Sequence, residues 1–346
     1  MADVTVLTTQ FQKLIESSNV IYIACHSSPD PDALGSLLAL QDILQNNFGK
    51  RNVKVFAETL AHSLAFLPGY ENVDSRGIYN TAQSSTPDLI IFLDFNMWHM
   101  VSPKDAMALK DLVTTRNINT IVVDHHPHEI KNIEATLYIN HEDSSTCQTL
   151  FRIFGDELKL ELSPKACDNL LAGIISDTER FKYHHSSLSY TFKILPTIIE
   201  TATFDIESLT QIMTRFPKAA MKSLETFIQN TVVEDSGLTY SVIKDSDIIN
   251  KGLSKTDISS AAKFFMSHLL LNIDDSVFGF VLYPFIKEPG VYTVSLRSTN
   301  TIFNVRKIGE ALGGGGHEKS SAARFRASNG EEALSMVLAA IQTLKN

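Results

Sequence analysis

Eight acidic or imidazole side chains in the first 180 residues follow short apolar segments, and their types suit metal ions. They are His26, Asp30, Asp32, Asp94, Asp124, His125, His126 and Asp177. Carboxylates with a minority of imidazoles and no thiolate favour Mg²⁺ or Mn²⁺ over a structural zinc, and the imidazoles favour Mn²⁺. Even without His126, the remaining seven residues are more than one open metal site needs. It suits two ions about 3.5 to 4 Å apart with one bridging carboxylate, an arrangement used for displacement at phosphorus.

Each segment also has an ordinary structural interpretation when it is taken alone. Asp30 and Asp32 lie where negative charge stabilises a helix N-terminus, and a single acid such as Asp94 after a strand is more often a turn former. In Asp124-His125-His126, extended backbone would direct the adjacent imidazoles to opposite sides, so that one binds a metal and the other faces a substrate. The metal interpretation therefore depends on whether the segments meet in space.

The segments that carry these residues alternate between strand-like and helix-like patterns. Continuous apolar runs, such as 90–93 and 121–123, are typical of strands buried on both faces. Ser145 and Ser163 are placed to cap two further helices. The pattern predicts an α/β domain with a mostly parallel sheet and helices on both faces. Such sheets bind ligands at the carboxyl ends of their strands, where three of the four acidic clusters fall.

The remainder of the chain indicates a connector and a second domain. From about 188 to 230 the pattern is helical, and from Gly237 onward strands and helices alternate again. We therefore predict an N-terminal catalytic domain over 1–187, a helical linker over 188–236 and a smaller α/β domain over 237–346.

A run of four glycines in the predicted second domain is a candidate anion site. Gly313, Gly314, Gly315 and Gly316 have no side chains that would keep an anion from their N–H groups. A bare glycine run is usually only a flexible turn. Here His317 follows the run and Arg297 ends a predicted strand before it, which favours a phosphate or nucleotide pocket.

The composition excludes several classes of protein. A formal net charge of -9 disfavours a grip on long duplex nucleic acid, although a short anionic ligand held through metal ions stays compatible. Cys25, Cys147 and Cys167 have no CxxC spacing, so we expect buried thiols rather than a disulfide or thiolate metal site. Lacking a bilayer-length apolar run and the blocks of a secretory signal, the chain is expected to be cytoplasmic without membrane contact.

Five ordered motifs resemble those of the DHH phosphoesterase family, especially its short oligoribonucleases, pAp phosphatases and cyclic-dinucleotide phosphodiesterases. The motifs are HSSPDPDALGS from His26, the isolated Asp94, DHH from Asp124, GIISDT from Gly173, and SLRS from Ser295 with GGGGH from Gly313. The resemblance covers nearly the whole chain and implies a catalytic domain, a DHH-associated substrate-binding domain and a cleft between them. Departures from the family pattern lie at 318–322 and at Glu179-Arg180, where the substrate preference could differ.

Carried over by motif position, the resemblance implies two Mn²⁺ ions, with Mg²⁺ or Co²⁺ as alternatives. One ion would be held by His26 and Asp30, the other by Asp32, His125 and Asp177, and Asp94 would bridge them. Asp124 would mainly orient an imidazole or would touch a metal only weakly. His126 would face the scissile phosphate, where it would stabilise phosphoryl charge or protonate the leaving group. The far end of the substrate would be held by Arg297, His317 and the glycines at 313–316.

The implied activity is hydrolysis of very short RNA or DNA, and of linear or cyclic dinucleotides, to mononucleotides. Removal of the 3'-phosphate from pAp is the alternative reaction. A catalytically silent scaffold protein in a nucleic-acid-processing complex is an alternative of another class, which the filled ligand positions disfavour. The sequence leaves a homodimer open.

Overall fold

The structure, a computed structural model, describes residues 4–126, 133–182, 186–285, 288–300 and 302–343, without the side chains of Lys255 and His317. Internal contacts divide the chain into two units, 1–214 and 215–346. The boundary falls within the predicted linker, whose helices are thereby shared between the units. The three-part division at 187 and 236 stays a prediction.

The first unit is built on a six-stranded sheet in the order β3-β2-β1-β4-β5-β6, with every neighbouring pair parallel. The strands are β1 Val20–Cys25, β2 Asn52–Phe56, β3 Val73–Asp74, β4 Leu89–Leu93, β5 Asn119–Asp124 and β6 Leu137–Asn140. Strands β1, β4 and β5 are almost wholly buried, as their continuous apolar runs predict. The short strands β3 and β6 are absent from the sequence prediction.

Helices cover both faces of this sheet. They are α1 Val4–Ser17, α2 Pro31–Asn46, α3 Ile78–Ser84, α4 Trp98–Val101, α5 Ala106–Thr115, α6 Thr146–Phe151, α7 Pro164–Asp177, α8 Leu188–Thr201 and α9 Ile206–Met213. Alternate strand residues face two cores: Ile91 packs toward α2, α6 and α7, whereas Phe92 packs toward α3, α4 and α5. The predicted fold class is confirmed.

Local sequence explains where the site-bearing helices begin. The Asp30 carboxylate accepts hydrogen bonds from two amides of the first turn of α2, and the Ser145 and Ser163 hydroxyls cap α6 and α7 as predicted. A π-helical segment, Arg152–Glu157, continues α6, so the helix that Ser145 caps changes geometry part-way along.

The second unit contains a mixed six-stranded sheet in the order β11-β12-β10-β9-β8-β7. Its elements are α10 Met221–Gln229, β7 Thr231–Val233, β8 Leu238–Val242, α11 Asp245–Lys251, α12 Lys255–His268, β9 Phe278–Pro284, β10 Val291–Ser298, α13 Val305–Ala311, β11 Gly315–His317, β12 Ser320–Arg326 and α14 Gly330–Gln342. Apolar cores lie on both sides of the sheet, one against α13 and α14 and the other against α10 and α12.

Two further expectations concern the cysteines and the membrane. Cys25, Cys147 and Cys167 are buried free thiols, as predicted. Among the residues that the structure describes, no helix combines the length and apolar character needed to cross a bilayer.

Candidate metal centre

The parallel sheet brings three strand ends together at one edge. Strands β1, β4 and β5 are neighbours, so the residues at their carboxyl ends lie side by side. His26 follows β1, Asp94 follows β4, and Asp124 is the last residue of β5. Topology alone therefore places one imidazole and two carboxylates along this edge.

Two helix ends complete the cluster. The N-terminus of α2 supplies Asp30 and Asp32, and the C-terminus of α7 supplies Asp177. The helix that ends in Asp177 thus returns to the sheet edge, where Asp177 is grouped with Asp32 and His125.

Three groups of side chains have ligand atoms that all lie within 4.8 Å of one another. The groups are His26 with Asp30 and Asp94, Asp32 with His125 and Asp177, and Asp94 with His125 and His126. Asp94 and His125 each belong to two groups. The six predicted metal ligands all occur in these groups, with His26, Asp30 and Asp94 in one and Asp32, His125 and Asp177 in another. Their roles as ligands stay predictions.

His125 is central to the acidic cluster. Its Nε2 lies 3.2 Å from Asp177 Oδ2, 3.4 Å from Asp94 Oδ1 and 3.9 Å from Asp32 Oδ2. On the other side of the ring, Nδ1 is 3.3 Å from the carbonyl oxygen of Asp143. A carbonyl at Nδ1 accepts the ring proton and leaves Nε2 as the metal-binding nitrogen.

The prediction that His125 and His126 point to opposite sides was wrong. Their ring centroids are 4.4 Å apart, and His126 Nδ1 lies 3.7 Å from Asp94 Oδ1. Strand β5 ends at Asp124, whose Oδ1 accepts hydrogen bonds from the amides of both histidines. This turn ends the strand alternation that the prediction assumed.

Asp124 makes the contact that an orienting residue requires. Its Oδ1 lies 2.8 Å from His126 Nδ1, and it belongs to none of the three ligand groups among the described residues. The side chain of His126 is 36% exposed, against 11% for His125. Of the two imidazoles, His126 is therefore the more accessible to a substrate.

The start of α6 supplies contacts that sequence analysis missed. The amides of Thr146 and Cys147 donate to the two oxygens of the buried Asp32, at 2.7 and 3.0 Å, and Thr146 Oγ1 donates to Asp94 Oδ1 at 2.9 Å. These bonds fix both carboxylates, and the positive end of a helix offsets their charge. The run Ser144-Ser145-Thr146 before a helix is the available signal, but by itself it indicates only a helix cap.

Asp143 is a second missed residue. Its buried carboxylate accepts hydrogen bonds from Arg152 Nε at 3.1 Å and Arg152 Nη2 at 2.5 Å, and from Gln148 and Thr149. The Arg152 guanidinium also lies 3.6 Å from the centroid of the Tyr190 ring. This network holds the backbone whose carbonyl faces His125.

We expect Arg152→Met to weaken both the fold and metal binding. Removing one partner of a buried ion pair costs about 3 to 5 kcal/mol, and the released Asp143 carbonyl should lower Mn²⁺ affinity by about 10- to 100-fold. Thermal unfolding and calorimetric Mn²⁺ titration measure the two effects. Arg324→Met is the matched control, because Arg324 covers the Phe285 ring in the second unit. Unchanged Mn²⁺ affinity in Arg152→Met would contradict the proposed support of His125.

The electrostatics of the cluster fit a cation. Burial raises the pKa of Asp32 well above its usual value, and Asp94 and Asp177 raise it further. Burial also raises the pKa of Asp177 to about 7. Burial opposes charge on His125, but the surrounding aspartates outweigh it and raise the pKa of His125 to about 10. Acids crowded this closely need positive charge, and their oxygen and imidazole donors suit a divalent ion.

In the second unit, strand pairing aligns two of the predicted substrate-binding positions. Arg297 pairs with Ser320, and Ser320 pairs with His317, so the three backbone positions form one row across β10, β12 and β11. The side chain of His317 lies outside the description. Roles in substrate binding for these residues stay predictions.

The glycine run serves strand pairing as well as leaving backbone accessible. A Cβ at Gly314 would collide with Ala322 and Ala323, and one at Gly316 would meet the Ser320 carbonyl. Gly313 and Gly315 have open space where a Cβ would be. Two of the four glycines are therefore required by packing. Gly313 has a φ of 78° and donates its amide to the Glu310 carbonyl, so it serves the turn after α13. Gly315 leaves backbone surface that a ligand can approach.

Comparison with known proteins gives consistent matches. Residues 20–174 match the DHH family, N-terminal domain. A Streptococcus mutans protein named "Probable bifunctional oligoribonuclease and PAP phosphatase NrnA" is 28% identical, over 89% of this chain and 90% of its own. Cyclic-di-AMP phosphodiesterase PdeA of Listeria monocytogenes is 25% identical over 97% of this chain, which spans 49% of PdeA.

A solved structure shares the fold over the whole chain. An exopolyphosphatase-related protein from Bacteroides fragilis aligns with a TM-score of 0.82 over 99% of this chain and 98% of its own, at 22% identity.

Proposed function

The chain belongs to the DHH family of phosphoesterases through its N-terminal domain, and we propose that it hydrolyses very short oligonucleotides and linear or cyclic dinucleotides to mononucleotides. The observation that carries this proposal is the set of three ligand groups linked through Asp94 and His125. Linked groups suit two adjacent ions, which is how phosphodiester hydrolysis is often catalysed.

We propose Mn²⁺ as the ion at both positions, because the donors combine hard carboxylates with imidazoles. His26 and Asp30 would hold one ion, Asp32, His125 and Asp177 the other, and Asp94 both. Bound there, the ions would acidify water and neutralise charge on the phosphoryl oxygens. Mg²⁺ and Co²⁺ are the alternatives.

The protein's own residues would hold the carboxylates in place and supply a proton donor. Asp32 and Asp94 are held by hydrogen bonds from the start of α6, which lowers the reorganisation needed when a substrate arrives. Asp124 lies against Nδ1 of His126, which assigns proton donation or phosphoryl contact to Nε2. Although burial opposes charge on His126, Asp124 and Asp94 raise its pKa above the usual value.

The substrate is proposed to be short. A net charge of -9 provides little attraction for a long polyanion. In the second unit, Arg297 and the glycines at 313–316 are proposed to bind the far end of the substrate, together with His317. We propose that the enzyme is cytoplasmic, because its three free thiols fit a reducing compartment. Light scattering during size-exclusion chromatography measures whether the enzyme is a homodimer.

A product-resolved substrate panel tests the function. With Mn²⁺, we expect cleavage of the dinucleotide pApA to AMP, slower cleavage of a five-nucleotide RNA, and loss of both activities on chelation, with recovery when Mn²⁺ is restored. Cyclic di-AMP and pAp complete the panel, and products are resolved by chromatography. Resistance of all four substrates would refute the proposal.

The PAP phosphatase in the name of the Streptococcus relative supports a second candidate activity. Release of inorganic phosphate from pAp faster than AMP from pApA would establish that order of preference. A silent scaffold protein, the alternative of another class, would bind fewer than one Mn²⁺ per chain.

A further inference from the structure

An open recess of about 480 Å³ lies beside the candidate metal centre, within the first unit. It is lined by His26, Ser27, Ser28, His99, Met100 and Pro103. His26 also belongs to the ligand group of Asp30 and Asp94. The recess is therefore continuous with the centre through this imidazole. We propose that it holds a nucleobase of the nucleotide next to the scissile phosphate, an inference that rests on the proposed function.

The backbone holds the two walls of the recess together. The amide of Ser27, which follows His26, donates to the carbonyl of Met100 at 2.7 Å, and the Ser27 carbonyl accepts from the Thr59 amide at 2.7 Å. Beneath His99 and Met100, the ring of Trp98 packs edge-on against buried Phe92, with centroids 5.5 Å apart. The walls are thus supported before a ligand binds, which lowers the ordering cost of binding.

The chemistry of the lining selects a flat, uncharged ligand. None of the six residues carries a carboxylate, guanidinium or ammonium group, so the recess offers no strong partner for a second phosphate. The imidazole of His99 and the thioether of Met100 instead provide stacking and sulfur–aromatic contacts. Stacking of this kind accepts every base, because each base has a π face. The recess therefore predicts a preference for nucleotides over base-free phosphates with little preference among bases.

Competition between two small inhibitors tests this inference. AMP and ribose 5-phosphate carry the same phosphate and sugar and differ only in the base. Their inhibition constants are measured with Mn²⁺ against hydrolysis of pApA, for the wild type and for His99→Ala/Met100→Ala. We expect the wild type to bind AMP about tenfold more tightly than ribose 5-phosphate, and the double variant to lose this difference.

The steady-state constants provide a second readout. In the double variant, KM for pApA should rise about tenfold while kcat stays within about twofold, because a base contact that is equal in ground and transition states affects only binding. The control is His62→Ala, which removes an exposed imidazole from a short 3₁₀ turn outside the lining. This variant should behave as the wild type in both measurements.

The outcomes separate this inference from the proposed function. If the wild type cleaves pApA but binds AMP and ribose 5-phosphate equally, only the proposed role of the recess is overturned. The same holds if the double variant keeps the preference for AMP over ribose 5-phosphate. A wild type that cleaves no nucleotide in the panel overturns the proposed function, and this inference with it.

Discussion

Asp94→Asn is expected to lower Mn²⁺-dependent hydrolysis of pApA on the order of a thousandfold, equivalent to about 4 kcal/mol of transition-state stabilisation. Asp94 is shared by the group of His26 and Asp30 and by the group of His125 and His126. No other carboxylate among the described residues belongs to two groups. Loss of its negative charge should therefore weaken both ion positions at once.

Asparagine is the appropriate replacement because of the backbone. Asp94 has a φ of 68°, a left-handed conformation that Asn adopts at least as readily as Asp and that most other side chains resist. The Asp94 amide also donates to the Val123 carbonyl at 3.0 Å, a bond that the substitution leaves intact. The variant should thus keep its thermal unfolding midpoint without metal and lose bound Mn²⁺, as measured by metal analysis of the dialysed protein.

Two controls make the result specific. Asp74→Asn changes another strand-end acid of the same sheet, one that pairs with Arg76 and lies outside the ligand groups, and it should keep full activity. His317→Ala should raise KM while retaining Mn²⁺, so that its defect is smaller than that of Asp94→Asn. Retention of both ions and more than about a tenth of the activity by Asp94→Asn would contradict the bridging role.

The sequence predicts the acidic cluster at the sheet edge because the topology is simple. His26, Asp94 and Asp124 each end a continuous apolar run, and parallel strands place such ends at one edge. The same logic fails for Thr146 and Asp143, which lie on the loop and helix after β6. That strand has only four residues, which alternate between buried and half-buried. It gives too weak a pattern to reveal that this loop returns to the site.

The histidine pair shows another limit. Alternation holds only while the backbone is extended, and Asp124 ends the strand by accepting the amides of His125 and His126. An acid at a strand end can either face a ligand or accept hydrogen bonds from the next backbone amides and form a turn. Because the residue type is the same in both cases, the sequence does not distinguish them. The left-handed backbone of Asp94 is likewise invisible in the sequence, since most residues with positive φ are glycines.

Gly173→Ala is expected to disrupt the centre from within a helix. In most helix interiors, alanine is more stable than glycine by about 0.5 to 1 kcal/mol. At Gly173 a Cβ would lie 2.7 Å from Asp32 Oδ1 and would overlap Cys147 Sγ. Such overpacking costs about 1 to 3 kcal/mol, so we expect net destabilisation by about 1 to 2 kcal/mol. Because Asp32 must move, Mn²⁺ affinity should also fall by at least about tenfold.

A second substitution separates packing from metal binding. Cys147→Ala removes the sulfur that overlaps the new methyl group, yet leaves the Cys147 amide that donates to Asp32. The loss of unfolding free energy caused by Gly173→Ala should be smaller in the Cys147→Ala background than in the wild type. Mn²⁺ affinity should stay low in the double variant. Denaturant unfolding and calorimetric Mn²⁺ titration of the four proteins measure this. If Gly173→Ala instead stabilises the fold and binds Mn²⁺ as the wild type does, Asp32 does not depend on the close approach of α7.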